Sequence, residues 1–406
     1  MNIFVLSNYY PPYYLGGYEL HCQKVVDELR RRQHQVLVVT SDWQAEKGTV
    51  QDFVQRLLHL HSFKNIKGLK RRTYQLHQAV TGFQDYVTVK RLSRIFRPDV
   101  AYIANMGGLS LMPLMALRRL NIPMVFDLGD YWLSQKLAEF SFEASSFKRL
   151  YRSAVQGGFR FEHLDFRHLF SRSLIMKQHY VENGFPAETI TVIPLGLSPH
   201  DIAEEPAPLD YGREMRLLYA GRLTEAKGVH IAIETVAHLV QEKRLETVHL
   251  DIVGSGEADY TRRLQQMVAS LGLETNVCFR GHLPHRELMA SYRQYHALLF
   301  PAIWIEPFGG AAMEAIAQGL CVIASDRGGP TEYITHNENG LLVPAEDPAA
   351  MARAVVSLAE SPAHTQKMRQ AAIETVRRRY TLDKVADQIE AYLQAVVDEN
   401  SKRALS

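Results

Sequence analysis

One pattern recurs along this chain and limits its folds: a short unbroken apolar run, a turn carrying glycine, then a helix-forming stretch. Ile3–Ser7 leads through Pro11–Pro12 to Gly16–Gly17, a helix to about Gln33 and a second apolar run, Gln35–Thr40. Arg216–Ala220 leads through Gly221–Arg222–Leu223 and Lys227–Gly228 to a helix from Val229 to about Glu242, with Val248–Val253 after it. Unbroken apolar runs suit strands buried on both faces. Strand–helix–strand crossovers make the strands parallel and put helices on both sides of the sheet. The expectation is an α/β chain.

Further strands are expected at Val100–Ala104, Pro123–Asp127, Phe170–Met176, Ile190–Leu197, Val277–Arg280, Ala297–Phe300, Cys321–Ser325 and Gly340–Pro344. Residues 145–170 read as helical and basic. Asp347–Ala359, Pro362–Arg379 and the amphipathic Asp383–Asp398 read as closing helices. At 406 residues the chain suits two domains. The polar stretch Ser198–Arg213, with Pro199, Pro206 and Pro208, reads as the linker. The expected domains are 1–198 and 199–379, with 380–406 as a final helix.

The densest stretch is Pro301–Ala317, PAIWIEPFGGAAMEAIA. A buried strand stops at Pro301, Glu306–Gly310 form a loop, and Ala311–Ala317 form a helix ended by Gly319. The glycine pair lets backbone N–H groups at a helix start approach an anion closely. Glu306 and Glu314 are eight positions apart, which at roughly 1.5 Å per helical residue sets them on the order of 10 Å apart. They cannot share a proton there. Either they touch different parts of one ligand, or they are a solvated loop residue and a surface helix residue. Arg222 and Lys227 also precede a helix start, and a guanidinium fork with a point-charge ammonium suits a diphosphate. Together they could replace a divalent metal in stabilising a departing nucleoside diphosphate.

These residues resemble the signature of retaining GT-B glycosyltransferases of the family-4 type, the glycosyl transferases of group 1. Glu306-Pro307-Phe308-Gly309-Gly310…Glu314 matches the family's central motif, Gly221–Arg222…Lys227–Gly228 its cationic motif, and Gly16, Gly17 and Glu19 its N-terminal donor-side loop. The resemblance covers nearly the whole chain and is strongest over residues 215–345. It implies two Rossmann-like domains facing across a cleft, with the last helix crossing back to the first domain. It places Glu306 by the donor sugar and Glu314 on the nucleotide ribose. Arg222, Lys227 and the amides of Gly309 and Gly310 then stabilise the leaving diphosphate. Phe308 belongs to the same loop. The turn Gly281–His282 stands at the nucleobase side, and Gly254, opening the turn Gly254–Ser255–Gly256 after a strand, reads as a phosphate-side or base-side turn. The stretch Asp127–Leu128–Gly129–Asp130 ends a strand at the ligand side of the first domain, and Asp127 and Asp130 are candidates for acceptor contacts. Asp130 is alternatively the cap of the next helix. Gly129 stands where many members of the family carry histidine.

The implied activity is transfer of a sugar from a nucleoside-diphosphate sugar, with UDP or GDP as carrier, and with retention at the anomeric carbon. The acceptor would be a glycan or a lipid-linked or phosphorylated molecule. Two alternatives stand beside it. One is a nucleotide-sugar binder with lost or altered activity, suggested by Gly129. The other is a dinucleotide-dependent oxidoreductase, opposed by the lack of any strand followed by a full G-x-G-x-x-G with an acid about 20 residues on.

Composition narrows partners and place. The net charge of +2 implies no strongly charged partner for the chain as a whole, and nucleic acid is not expected. Cys22, Cys278 and Cys321 lack metal-ligand spacing, His163 and His168 do not share a helical face, and no metal or other cofactor is expected. Unpaired thiols, no apolar run of roughly 18 residues and no basic leader point to a cytoplasmic protein without a signal peptide. Between residues 64 and 97, Lys64, Lys67, Lys70, Arg71, Arg72, Lys90, Arg91, Arg94 and Arg97 face one acid, Asp85, with Leu69, Tyr74, Val87, Leu92 and Phe96 interleaved. That pattern is either a solvated helix face or a basic amphipathic surface for an anionic membrane.

Overall fold

The computed structural model describes residues 1–44, 52–61, 69–141, 164–210, 214–242, 245 and 247–405. For residues 69–76, 137–141, 404 and 405 only the backbone is described. The chain forms two compact units, 1–194 with 382–406, and 195–381.

The first unit is built from β1 (Asn2–Ser7), α1 (Gly17–Arg31), β2 (Gln35–Ser41), β3 (Val54–Leu58), α2 (Leu69–Phe96), β4 (Val100–Ile103), α3 (Met112–Arg119), β5 (Met124–Leu128), α4 (Trp132–Ser141), β6 (Leu169–Ser171), α5 (Leu174–Glu182) and β7 (Ile190–Val192). Its described strands form one sheet in the order β3-β2-β1-β4-β5-β6-β7, all parallel. The burial of β1, β4 and β5 on both faces explains their unbroken apolar sequences. The order reverses between β1 and β4, so the loops after Ser7 and Ile103 flank the crevice where such sheets bind ligands.

The second unit holds β8 (Glu214–Ala220), α6 (Val229–Glu242), β9 (Thr247–Val253), α7 (Ala258–Ser270), β10 (Val277–Gly281), α8 (His285–Ser291), β11 (Ala297–Phe300), α9 (Gly310–Ala317), β12 (Cys321–Ser325), β13 (Leu341–Val343), α10 (Pro348–Glu360) and α11 (Pro362–Arg379). Its parallel sheet runs β10-β9-β8-β11-β12-β13 and reverses between β8 and β11.

The last helix, α12 (Leu382–Leu405), packs within the first unit. Leu382, Val385, Ile389, Leu393 and Val396 recur at helical spacing and are buried with Val25, Val26 and Leu29 of α1. At the rim of that seam Arg32 reaches Asp387 at 2.6 Å and Glu390 at 2.7 Å, and His34 reaches Glu390 at 2.8 Å.

Three expectations from sequence are corrected. Phe170–Met176 is not one strand: β6 ends at Ser171, and Ser173 accepts the Met176 N–H to start α5. Residues 164–168 form no helix, and 145–163, with His163, lie outside the described residues. The expected linker is held against the second unit over residues 198–210, and 211–213 lie outside the described residues. The Ala203 N–H donates to Ala317 O at 2.9 Å, Arg377 donates to Ala203 O at 2.6 Å, and Pro206 packs on Gly319. The expected boundaries at 198/199 and 379/380 lie a few residues from the edges of the units.

Candidate functional site

In the second unit the two loops at the switch point are joined through their backbones. After β8 a turn at Glu225–Lys227 ends in Gly228, whose φ of 69° is left-handed. A Cβ on Gly228 would stand 1.9 Å from Pro301 O, so only glycine lets the turn lie on the end of β11. The N–H groups of Ile303 and Trp304 both donate to Ala226 O, at 2.9 and 3.2 Å.

This zipper brings Lys227 to Glu306. The Lys227 ammonium donates to Glu306 Oε2 at 2.5 Å, and the Trp304 indole N–H donates to the same oxygen at 2.7 Å. The ammonium also lies 5.0 Å from the centre of the Trp304 ring. Glu306 is 8% exposed, which excludes the solvated loop residue. Its backbone is clamped from below: Gly329 N–H donates to Glu306 O at 2.7 Å, and a Cβ on Gly328 would come 2.5 Å from Glu306 N. The glycines of Asp326–Arg327–Gly328–Gly329 therefore support the loop that carries the carboxylate.

Gly309, at φ 87°, precedes α9, and Gly310 is its first residue. The Phe308 ring is buried against Tyr333 and Tyr380, so its side chain supports the loop, and only its backbone remains for a ligand. One turn into α9, Glu314 accepts from His285 Nε2 at 2.8 Å and lies 3.5 Å from the Tyr292 hydroxyl. Arg222 is exposed and makes no ion pair among the described residues. Gly254 stacks on the same turn: its N–H donates to Gly281 O at 2.8 Å, and a Cβ there would stand 1.8 Å from Gly221 O. Gly281 and His282 are exposed beside it. Cations, amides of a helix start and two anchored carboxylates thus gather at the carboxyl ends of β8 and β11. That set can hold a diphosphate and hydroxyl-rich groups attached to it.

In the first unit Asn8 and Asn105 follow β1 and β4. Asn8 Nδ2 donates to Asn105 Oδ1 at 2.7 Å, and Asn105 Nδ2 donates to Asp130 Oδ2 at 2.9 Å. Asp130 Oδ1 accepts the Trp132 N–H at 2.9 Å, so this residue both caps α4 and joins the polar chain. Gly16 and Gly17 have nothing within 4 Å of where a Cβ would stand, so open space lies over them. Glu19 is buried and accepts the Gly16 N–H at 3.0 Å. Burial raises its pKa, and backbone hydrogen bonds work against that.

Asp127 is corrected as an acceptor contact. It is fully buried, paired with Arg172 and bonded to the Tyr102 hydroxyl at 2.6 Å. Burial is the main influence on its carboxyl and pushes the pKa up. Asp127 fastens the strand ends beneath the crevice and does not reach into it.

Gly129 has a plain steric cause. A Cβ there would fall 2.0 Å from the ring of Tyr18, whose hydroxyl lies 2.8 Å from Ala104 O and 3.1 Å from Asp127 O. The ring of an α1 residue fills the place of a side chain at 129. Gly129→Ala is therefore expected to destabilise the first unit by about 1–3 kcal/mol. In a Tyr18→Ala background the added cost should fall below about 0.5 kcal/mol. Urea denaturation of the four combinations measures both, and equal costs in the two backgrounds would disprove the contact.

Sequence reading missed Trp304, His285, Asn8, Asn105, Arg172 and Tyr18. Position could have flagged Asn8 and Asn105, the polar residues just past two strands. Nothing local marks Arg172 or Tyr18. No group of three or more His, Cys, Asp or Glu among the described residues could hold a metal ion.

Comparison with known proteins adds the following. A family model described as glycosyl transferases group 1 matches residues 202–376, and one described as a glycosyl transferase 4-like domain matches 16–196. The chain is 35% identical over 172 residues to a glycogen synthase of Mycobacterium tuberculosis, spanning 41% of this chain and 38% of that protein. It is 30% identical over 212 residues to a phosphatidyl-myo-inositol mannosyltransferase of Mycobacterium leprae, spanning 52% and 54%. The chain thus spans about half or less of the length of these curated relatives. Among solved structures, Anabaena Alr3699/HepE in complex with UDP and glucose superposes with a TM-score of 0.70 at 20% identity, over 97% of this chain and 99% of that one. Sucrose-phosphate synthase from Thermosynechococcus elongatus gives 0.73 at 19% identity, over 98% and 99%. At these identities the likeness is one of fold: two Rossmann-like parallel-sheet units of GT-B type.

Proposed function

The chain belongs to the group 1 glycosyltransferases of GT-B fold, and from that premise we propose that it transfers a sugar from a nucleoside-diphosphate sugar to an acceptor hydroxyl with retention at the anomeric carbon. The observation that carries this reading is the gathering of Arg222, Lys227, Glu306 and Glu314 with the start of α9 on one end of the second sheet. In the proposed reaction the bond between the anomeric carbon and the β-phosphate oxygen breaks as the acceptor oxygen bonds to the same face of the sugar. The acceptor proton passes to the departing phosphate. Arg222, Lys227 and the Gly309 and Gly310 amides stabilise the charge that gathers on that phosphate, without a metal ion. Glu306 accepts from the sugar hydroxyls and Glu314 from the ribose. Gly254, Gly281 and His282 line the nucleobase side. Asp130 meets acceptor groups, and the open space over Gly16–Gly17, with Glu19 as the cap beneath it, is the donor-side loop of the first unit.

UDP and UDP-glucose are the ligands named for HepE, and UDP and GDP are the carriers to test first here. Isothermal titration of the full chain should show binding of one of these diphosphates and none of NAD. Tight NAD binding would overturn the reading in favour of an oxidoreductase. Binding of a nucleotide sugar with no slow hydrolysis and no transfer would favour a binder without activity, the alternative that Gly129 raises.

We propose further that α2 rests peripherally on an anionic membrane on the cytoplasmic side, which suits a lipid-linked acceptor. Val80, Phe83, Val87 and Ile95 are 51%, 60%, 47% and 74% exposed, and Arg91, Arg94 and Arg97 stand among them. The lone acid, Asp85, is turned inward onto His59 at 2.7 Å. Lys64 and Lys67 lie outside the described residues, as do the side chains of Lys70, Arg71 and Arg72. No helix among the described residues is long and apolar enough to cross a membrane. Phosphatidylserine vesicles should float the chain at low salt and release it at about 1 M salt. A Phe83→Ser/Arg91→Glu/Arg94→Glu variant should stay in solution. Equal flotation of that variant would leave α2 as a solvated face.

A further inference from the structure

Glu306 and Lys227 meet each other where the proposed reaction has each of them meet the donor. One oxygen, Glu306 Oε2, accepts from both the ammonium and the Trp304 indole. One ring, that of Trp304, touches both partners. The side chains of Lys227 and Glu306 are only 17% and 10% exposed. Attraction between opposite charges is strong where water is scarce, so the carboxylate competes with any incoming anion for this ammonium. The three residues sit on loops zippered through Ala226 O, which limits how far Glu306 can follow Lys227 if the ammonium moves.

We propose that Trp304 is a positioning residue that keeps Glu306 aimed while Lys227 exchanges that carboxylate for the diphosphate of the ligand. The inference rests on the donor-site reading above and adds a sequence of events to it. Without a diphosphate the pair is closed and the carboxylate is neutralised. A diphosphate draws the ammonium away, and Glu306, still held by the indole N–H, becomes an acceptor for the hydroxyls of the sugar that the diphosphate carries. The phosphate end of the donor thereby readies the group that its sugar end needs. A nucleoside without phosphates leaves the pair closed.

Two substitutions and one optical signal test this. Glu306→Gln removes the competing charge and keeps the shape. It should bind UDP, GDP and inorganic pyrophosphate about three- to tenfold more tightly while turnover falls. Trp304→Phe keeps a ring beside Lys227 and removes the N–H. It should hold nucleoside diphosphate affinity within about twofold while kcat drops, a split that a merely structural loss would not produce. Trp304 is one of three tryptophans, so diphosphate binding should change the emission of the wild-type chain and leave Trp304→Phe silent. Unchanged or weaker pyrophosphate binding by Glu306→Gln would overturn the exchange. Wild-type kcat in Trp304→Phe would remove its positioning role. An unchanged emission response in Trp304→Phe would place the signal elsewhere and sink the proposed movement. Failure of the wild-type chain to bind any diphosphate would be a different result, ending the donor-site reading itself.

Discussion

Lys227→Ala is expected to weaken binding of nucleoside diphosphates roughly 10- to 150-fold, the equivalent of one charge-assisted hydrogen bond worth about 1.5–3 kcal/mol. Turnover should fall further, by about 100- to 1,000-fold, because charge on the leaving phosphate grows in the transition state and the ammonium is already fixed beside it. The geometry makes this the most exposed dependency of the second unit. Lys227 is set by a left-handed glycine that no other residue can replace, and it stands 2.5 Å from the carboxylate assigned to the sugar. Titration of diphosphate and of the bare nucleoside separates the effect from misfolding: only the phosphate-bearing ligand should lose affinity. Unchanged kinetics would take Lys227 out of the site.

Arg172→Met carries the largest expected cost in stability. Arg172 is 2% exposed and Asp127 is fully enclosed, and the Tyr102 hydroxyl also donates to that carboxylate. Removing the cation strands a buried carboxylate, which costs about 3–5 kcal/mol. Total stabilities of roughly 5–15 kcal/mol leave little margin for such a loss. The urea midpoint of the first unit should fall sharply, with the second unit's transition unmoved. Replacing both partners, as Asp127→Asn with Arg172→Met, should recover most of the loss, because no unpaired charge remains. A single variant as stable as wild type would show that the carboxyl is held neutral without its partner.

The parallel sheets were legible because burial on both faces writes itself as unbroken apolar sequence, as in Ile3–Leu6 and Leu298–Phe300. Glycine turns marked where the strands end, and the cation and carboxylate pattern around 222–314 marked the site in the second unit. What sequence hid depends on contacts between distant residues. Asp127 stands at a strand end like a ligand residue, and only Arg172, distant in the chain, turns it into a buried anchor. Gly129 reads as a missing side chain until Tyr18 is seen filling its volume. Residues 198–210 have the composition of a linker, and backbone partners such as Ala317 O, which composition does not record, tie them to the second unit. Phe170–Met176 has strand-like apolar residues at both ends, and it is the hydroxyl of Ser173, accepting the Met176 N–H, that starts a helix there.

The seam between α1 and α12 has a consequence for the newborn chain. Residues 1–194 leave the ribosome first, yet the helix that covers Val25, Val26 and Leu29 is made only after residues 195–381. At 5–20 residues per second the interval is roughly 10 to 40 seconds. Throughout it the amino-terminal half carries an uncovered apolar stripe, whose later closure by five side chains is worth on the order of 10 kcal/mol. Within the chain, maturation therefore runs against the order of synthesis: the first unit is begun before the second and completed after it.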